Sequence, residues 1–136
     1  MPKRGVVNFV AVLAAGFALG VVGIAAWYIF GQSEPAPWIK PAAIDGATVR
    51  LTYEGSKCRD SVDVDVDEDS TRVIITVRET VRARSCTANA VRYHVEVRLG
   101  APLADRELVD GACQMSKYAN HSECGPKKST VQPGQS

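Results

Sequence analysis

The hydrophobic pattern divides the chain into an apolar run and an alternating part. From Val6 to Phe30, 21 of 25 residues are apolar, and no charged residue or proline interrupts the run. A bilayer core of roughly 30 Å is crossed by about 20 apolar residues in a helix. The run therefore predicts one transmembrane helix over residues 6–30, in direct contact with the lipid bilayer.

The charges around this run predict its orientation. Lys3 and Arg4 precede it, whereas Glu34 and Lys40 balance each other beyond it. Because positive flanking residues stay on the cytoplasmic side, we expect residues 1–5 in the cytoplasm and the rest of the chain outside. A cleaved signal peptide is the alternative, but its apolar core would be only about 7–15 residues long. The pattern favours an uncleaved signal anchor and a single-pass protein of the cell membrane.

Two glycines inside the run are spaced for helix packing. Gly16 and Gly20 lie four residues apart, and small residues at this spacing let two membrane helices approach closely. Glycine and alanine are common in membrane helices for other reasons. The pair is a candidate helix–helix contact that permits a homodimer without indicating one.

The next segment, residues 31–46, is rich in proline. Pro35, Pro37 and Pro41 are spread through it. Proline fixes φ and removes a backbone donor, so the segment is predicted to be an extended, semi-rigid tether.

From residue 47 onward, apolar and polar residues alternate. Alternation of β-branched residues with polar ones is typical of strands with one buried and one solvated face. Five such segments lie at residues 49–53, 62–66, 73–77, 91–99 and 107–110. They predict a mainly β domain over residues 47–113, built as a small antiparallel β-sandwich or partly open barrel of about five strands. Residues 114–136 are expected to form a disulfide-pinned loop followed by a disordered tail.

The second and third of these strands predict a hairpin. If Asp69 and Ser70 form a two-residue turn, Val66 lies opposite Val73. A slip by one residue would bring aspartates into the core, so this register is strongly preferred.

Composition becomes informative once it is divided at the end of the apolar run. The whole chain is 46% hydrophobic with a net charge of +1. Without Lys3 and Arg4, 14 of the 16 basic residues remain against 15 acidic ones. A general nucleic-acid binder needs a basic excess, so no nucleic-acid partner is predicted. A chain of 136 residues is also too short for a transporter or a multidomain enzyme.

Four cysteines indicate disulfides, because a small extracytoplasmic domain has a thin core. Cys58 and Cys86 lie in connections that emerge at the same end of an up-and-down sheet, and Cys113 and Cys124 are close in sequence. This spacing favours the pairs Cys58–Cys86 and Cys113–Cys124 among the three connectivities that four cysteines allow. Cys113, His121 and Cys124 could instead supply zinc ligands. Their spacing matches no common zinc pair, so no metal centre is predicted.

Two charged groups are candidate binding sites. The acidic entry to the predicted turn, which does not fit a calcium loop of the helix-loop-helix type, is a candidate weak cation site. The basic residues of the third and fourth predicted strands are a candidate surface for an anion or partner. The first group is Asp67, Glu68 and Asp69, and the second is Arg78, Arg82, Arg84, Arg92 and Arg98. In both cases a solvated face is the simpler interpretation.

Catalytic chemistry has little support in the sequence. His94 lies on the polar face of a predicted strand and His121 lies in the C-terminal segment. Neither a nucleophile elbow nor a phosphate-binding glycine loop accompanies them. We therefore predict no catalytic residue, no enzyme activity and no cofactor.

Three sequence features carry a resemblance to a known family. They are Cys58-Arg59-Asp60, Cys86, and the run Pro-Leu-Ala-Asp-Arg-Glu-Leu-Val-Asp-Gly over residues 102–111. On these features the chain resembles small extracytoplasmic β domains of actinobacteria, which are tethered by a lipid or a single helix. The resemblance implies a Cys58–Cys86 bridge and a cell-envelope location. The family has no established activity, so the resemblance implies no catalytic residue. This chain departs from it in lacking a lipid-attachment cysteine and in having Cys113 and Cys124.

Together these observations predict a single-pass, membrane-anchored extracytoplasmic protein. Its outer β domain is expected to be a non-enzymatic module that binds or scaffolds a protein partner in the cell envelope. The alternative is a sensor-type ectodomain that binds a ligand or an ion.

Overall fold

The computed structural model describes residues 33–82, 86–87, 89–125 and 130–131. The predicted membrane helix with Gly16 and Gly20 lies outside the described residues, as does Arg84. Within the described ranges, no helix is long and apolar enough to cross a membrane.

Eight strands and three short 3₁₀ helices form the described part of the chain. The strands are β1 (Ser33–Ala36), β2 (Trp38–Asp45), β3 (Thr48–Ser56), β4 (Ser61–Glu68), β5 (Arg72–Thr80), β6 (Ala90–Arg98), β7 (Glu107–Asp110) and β8 (Thr130–Val131). The 3₁₀ helices are Ala112–Gln114, Ser116–Tyr118 and Ser122–Cys124. The prediction of a mainly β domain is confirmed. The five predicted strands correspond to β3–β7, whereas β1, β2 and β8 were not predicted.

The strands form two sheets that share one core. In the first sheet β4 pairs with one edge of β5, while β1 and β7 pair with successive parts of its other edge and β8 pairs with β7. The second sheet has the order β2–β3–β6 and is antiparallel throughout. In the first sheet only the β5–β7 pairing is parallel among the described strands. The described strands form two open sheets and no closed barrel.

Buried side chains from both sheets fill the space between them. The core contains Trp38, Val49, Leu51, Tyr53, Val73, Ile75, Val77, Val97, Leu99, Leu103 and Leu108. Burial of such apolar surface is the main favourable contribution to folding. The inward positions of β3 and β5 are those that the alternation predicts.

The prediction of a tether was wrong for residues 33–45. Trp38 is fully buried in the core, and the chain crosses from the first sheet to the second at Pro37 between β1 and β2. Pro41 lies where the β2–β3 register shifts between Ile39 and Ala43. Prolines are tolerated at edges and bulges because no ladder donor is needed there. Proline content alone therefore misidentified two strands as a tether.

The β4–β5 hairpin forms with its register shifted by two residues from the prediction. Val66 lies opposite Ile75, not Val73, and the backbone N–H of Asp69 bonds to the carbonyl of Arg72 at 3.0 Å. The turn is therefore made by the residues after Asp69. A shift of two residues keeps every side chain on its predicted face, so Val73, Ile75 and Val77 are buried as predicted, whereas Val66 is 38% exposed.

The carboxylate of Asp69 explains where this turn begins. Its Oδ1 accepts hydrogen bonds from Thr71 Oγ1 and Thr71 N, both at 2.7 Å, and from Arg72 N at 2.8 Å. An aspartate that accepts from the backbone two residues later occupies the first position of a turn. These bonds, led by the Thr71 hydroxyl, hold the pKa of the Asp69 carboxyl far below its usual range.

The Asp69 carboxylate should make the stability of the domain sensitive to acid. Because its pKa is lower in the folded state, its contribution is complete above the unfolded pKa of about 4 and is lost as the pH falls through the folded pKa. We expect Asp69→Ala to lower the unfolding free energy at pH 7, and the difference from the wild type to shrink below about pH 4. Urea unfolding measured across this pH range tests it. Asp67→Ala is the matched control, and equal behaviour of the two variants would contradict the assignment.

Both favoured cysteine pairs are confirmed. Cys58 is bonded to Cys86 and Cys113 to Cys124, with Cα–Cα distances of 6.0 and 5.1 Å. The first bridge joins the β3–β4 connection to the β5–β6 connection. The second closes the three 3₁₀ helices. Cys113 and Cys124 are thus joined to each other and are not thiolate ligands of a metal.

Candidate binding surface

The outer face of the β2–β3–β6 sheet carries a regular array of polar side chains. Three directly opposed pairs join β3 to β6: Arg50 Nε lies 3.2 Å from Glu96 Oε2, Thr52 Oγ1 lies 3.0 Å from His94 Nδ1, and Arg92 Nε lies 3.3 Å from Glu54 Oε1. We call these six residues the polar ladder. The ion pairs are exposed, and each such pair contributes under about 1 kcal/mol. The ladder largely neutralises its own charge, so it does not attract an anion strongly.

Two open grooves on this face are lined by residues of β2 together with residues of the polar ladder. The first groove has a volume of about 410 Å³, and the second has a volume of about 260 Å³. The first is lined by Pro41, Ala43, Arg50, Leu51, Thr52, His94, Val95 and Glu96. The second is lined by Pro37, Ile39, Glu54, Arg92, His121, Ser122 and Glu123. The β2–β3 register shift between Ile39 and Ala43 lies at the border between the two grooves. The irregularity that the prolines introduce therefore helps to shape this face.

The C-terminal 3₁₀ helices form one wall of the second groove. Glu123 Oε2 accepts a hydrogen bond from the backbone N–H of Lys40 at 3.2 Å. His121 Nδ1 accepts from the backbone N–H of Glu123 at 3.2 Å, and Tyr118 Oη donates to the carbonyl of Pro35. The Cys113–Cys124 bridge closes this segment. Polar contacts therefore hold the wall to β1 and β2, while the bridge closes the wall segment itself.

A buried ion pair supports the start of β2 beneath the surface. Lys40 Nζ lies 2.5 Å from Asp110 Oδ2, and the two side chains are 5% and 0% exposed. Asp110 Oδ2 also accepts from Trp38 N at 2.9 Å, and its Oδ1 accepts from Ala112 N at 3.0 Å. Lys40 Nζ lies 4.4 Å from the centre of the Trp38 ring. Each charge thus has the partners that burial requires, and β2 is attached to β7 across the two sheets.

A second polar cluster lies near the Cys58–Cys86 bridge. Arg59 Nη1 donates to Tyr53 Oη at 2.8 Å, and its guanidinium carbon lies 3.7 Å from the centre of the Tyr93 ring. Burial raises the pKa of Tyr53 despite the opposing effect of Arg59. The hydrogen bond to Tyr53 raises the pKa of Arg59. These contacts hold the bridged loop on the core.

Glu79 lies beneath this loop with its two oxygens in different environments. Its Oε1 accepts from Ser56 N at 2.7 Å, whereas its buried Oε2 has no hydrogen-bond partner among the described residues. A Cβ on Gly55 would lie only 2.0 Å from that oxygen. Glycine at position 55 is therefore required by the close approach of the Glu79 carboxylate to β3.

The three residues of the predicted cation site do not converge. Asp67 is exposed on β4, while Glu68 Oε1 accepts from Gly100 N at 2.7 Å and Glu68 Oε2 lies 2.9 Å from Arg106 Nη1. The Gly100 hydrogen bond, followed by Arg106, lowers the pKa of Glu68. Asp69 binds its own turn. Among the described residues, no three His, Cys, Asp or Glu side chains are placed to hold a metal ion.

The arginines of the predicted anion surface are divided between the two sheets. Arg78 lies on β5, where its Nε is 2.7 Å from Asp65 Oδ2. Arg92 and Arg98 lie on β6 in the other sheet, and Arg82 lies after β5 in the bridged loop region. The strands that carry Arg78 and Arg92 therefore belong to different sheets, and an anion or partner surface on these arginines stays a prediction. Strands β5 and β6 are consecutive in the sequence but belong to different sheets. Alternation alone does not reveal this.

Sequence reasoning missed the polar ladder and the buried pair for different reasons. The ladder consists of outward-facing residues of β3 and β6, whose polar character is evident in the sequence. Their pairing is not evident, because the partners are far apart in the chain: Thr52 and His94 are separated by 42 positions. Lys40 lay in the predicted tether. A buried partner could not be expected for it until β2 was known to be a strand.

The fold and its surface define a two-sheet β domain with two disulfides, a combination typical of oxidising compartments. Comparisons with protein-family models, curated proteins and solved structures found no match for the chain.

Proposed function

We propose that the chain is a membrane-anchored extracytoplasmic module that binds a protein partner of the cell envelope without catalysing a reaction. The observation that carries the proposal is the pair of grooves beside the polar ladder on the β2–β3–β6 face. They combine apolar lining from Ile39 and Ala43 with exposed polar groups of both signs. Protein interfaces commonly join such apolar surface to a polar rim.

The proposed location rests on the chain's two chemically different parts. The apolar run from Val6 to Phe30 has the length of a membrane anchor. The two disulfides suit an oxidising compartment outside the cytoplasm. The resemblance to actinobacterial envelope domains is consistent with the same location.

The charge arrangement favours a protein over an ion or a polyanion. Arg50 and Arg92 of the ladder are already paired with Glu96 and Glu54. A sensor that binds a cation would use the acidic turn, but Glu68 and Asp69 already accept hydrogen bonds within the domain. Shape and mixed polarity on the β2–β3–β6 face are therefore the better supported means of recognition.

The histidines on this face have structural partners. His94 is hydrogen-bonded to Thr52, and His121 caps the 3₁₀ helix that follows it. This arrangement supports a non-enzymatic role, since a hydrolytic base must be directed at a nucleophile within a pocket that excludes water.

Photo-crosslinking in cells that produce the full chain tests the proposal. We expect a benzoylphenylalanine at Ala43, which is exposed in the first groove, to capture one specific protein in the membrane fraction. Benzoylphenylalanine in place of Asp63, which is exposed on β4 of the other sheet, is the matched control. Absence of an adduct at position 43, or the same adducts at both positions, would contradict a binding role for this face.

A further inference from the structure

Strand β6 forms an edge of the second sheet in the described part of the chain. At its two ends, Asn89 O accepts from Lys57 N at 3.3 Å, and Leu99 N donates to Ala47 O at 2.8 Å. In an antiparallel ladder, residues that bond to one neighbour alternate with residues that face the other way. The odd-numbered residues of β6 therefore bond to β3. The even-numbered residues from Ala90 to Arg98 direct their backbone N–H and C=O groups away from it.

The outward-directed residues of β6 are complementary to themselves. If a second copy lies antiparallel with its His94 opposite His94 of the first, Arg92 of each copy lies opposite Glu96 of the other. This register also aligns all nine residues of β6, because His94 is the midpoint of Ala90–Arg98. Opposite charges that face each other across strands are favourable, and like charges are not.

The same register continues the charge alternation of the polar ladder into the second copy. Within one copy Arg92 is paired with Glu54, and Glu96 is paired with Arg50. Side by side across the four strands β3, β6, β6 and β3, the residues are then Glu54 and Arg92 of one copy followed by Glu96 and Arg50 of the other. The signs alternate along the whole row, and the central row is Thr52, His94, His94, Thr52.

Apolar side chains on the inner side of β6 are incompletely covered by the domain itself. Val91 is 37% exposed, and Tyr93 and Val95 are half-buried. In the antiparallel register Val91 lies opposite Val97 of the second copy, and Tyr93 lies opposite Val95. A second copy would therefore cover these side chains with residues of matching character.

We propose that β6 is a dimerisation edge through which two copies of this chain pair antiparallel about His94. The product is a continuous six-stranded sheet with the order β2–β3–β6–β6–β3–β2 and a two-fold axis through its centre. Such an interface is isologous and closes on itself. It satisfies the open backbone groups that make an unprotected edge prone to aggregation. The inference does not depend on the proposed partner, because it rests on the open edge of β6 and its self-complementary charges, although His94 and Glu96 also line the first groove.

Cysteine crosslinking tests the register directly in the full chain, purified in mild detergent. Opposed residues in a hydrogen-bonded pair are about 5.5 Å apart at Cα, which is within the range that a disulfide spans. His94→Cys should therefore give a covalent dimer under mild oxidation, and mass spectrometry should find a peptide that is crosslinked through position 94 of both copies. Arg92→Cys is the control on the same face, because its two copies would be roughly 14 Å apart along the seam. The double variant Arg92→Cys with Glu96→Cys should crosslink through positions 92 and 96.

The crosslinking outcomes separate this interface from other ways of associating. A covalent dimer of His94→Cys together with a monomeric Arg92→Cys supports the proposed register. Equal crosslinking of both single variants would indicate non-specific contact, for example through the Gly16 and Gly20 pair, and would overturn it. So would failure of both His94→Cys and the double variant to crosslink.

A charge substitution provides an independent measurement. Glu96→Arg places two positive charges opposite each other at two places in the dimer, because position 96 of each copy faces Arg92 of the other. We expect dimer affinity measured by analytical ultracentrifugation to fall on the order of tenfold or more. Asp67→Arg makes the same change of charge on an exposed position of β4 and should leave the affinity unchanged. Monomeric wild-type protein at the concentrations that crosslink, or equal effects of the two substitutions, would refute the inference.

Discussion

Replacing Asp110 with alanine is expected to lower the unfolding free energy of the domain by about 3–5 kcal/mol, because it removes the carboxylate that faces the buried ammonium of Lys40. The substitution also removes the acceptors of the Trp38 and Ala112 backbone N–H groups. Chemical unfolding of the full chain in mild detergent, followed by circular dichroism, measures the loss.

Two further variants show whether this loss comes from the buried network. Lys40→Met keeps the two backbone bonds of Asp110 and should cost clearly less than Asp110→Ala. Asp65→Ala removes the partner of Arg78 at a site where the aspartate is 65% exposed, so its effect should stay under about 1 kcal/mol. Equal losses for Asp110→Ala and Asp65→Ala would mean that the Lys40–Asp110 pair does not hold the sheets together.

Truncation of Trp38 to alanine should cost a similar amount, about 3–5 kcal/mol, since it leaves a cavity in a close-packed core. Trp38 is fully buried, and its Nε1 donates to the carbonyl of Ile75 at 3.4 Å. The same unfolding experiment applies. Trp38→Phe should retain part of the stability because it fills more of the space.

Ile44 on the same strand is the matched control for Trp38. It is 38% exposed, and Ile44→Ala should therefore cost much less. If Trp38→Ala were as mild as Ile44→Ala, residues 33–45 would not be part of the core, and the predicted tether would be the better description of them.

The strands that could be predicted from the sequence are those with an unbroken alternation. Val49, Leu51 and Tyr53 on β3 and Val73, Ile75 and Val77 on β5 occupy every second position, and all six are buried. Their burial follows from the two-residue period of a strand. The Cys58–Cys86 pair also followed from the order of these strands, because every second connection of an up-and-down sheet lies at the same end, and the Cys113–Cys124 pair followed from closeness in sequence.

The elements that could not be predicted depend on contacts between distant residues. Ile74 and Thr76 of β5 have neighbours on their own face, where Gly111 approaches so closely that a Cβ would lie 1.8 Å from Thr76 Oγ1. Such packing on both faces is not visible in a local pattern. β2 was hidden for the same reason, since Trp38 and Lys40 gain their partners from β5 and β7, beyond any local pattern. The surface grooves depend on the β2–β3 register shift and were equally beyond a local interpretation.

The attachment of the C-terminal 3₁₀ helices to β1 and β2 has a mechanical consequence. A force that pulls on the chain ahead of Ser33 first loads β1, which is held by its ladder with β5 and by contacts of Tyr118 with Pro35 and of Lys117 with Glu34. Those contacts belong to a segment that the Cys113–Cys124 bridge prevents from extending. The strand that follows the apolar run is therefore held by residues 113–124, a segment closed by a disulfide bond. Its resistance to tension depends on the oxidation state of two cysteines that lie far along the chain from the strand they help to hold.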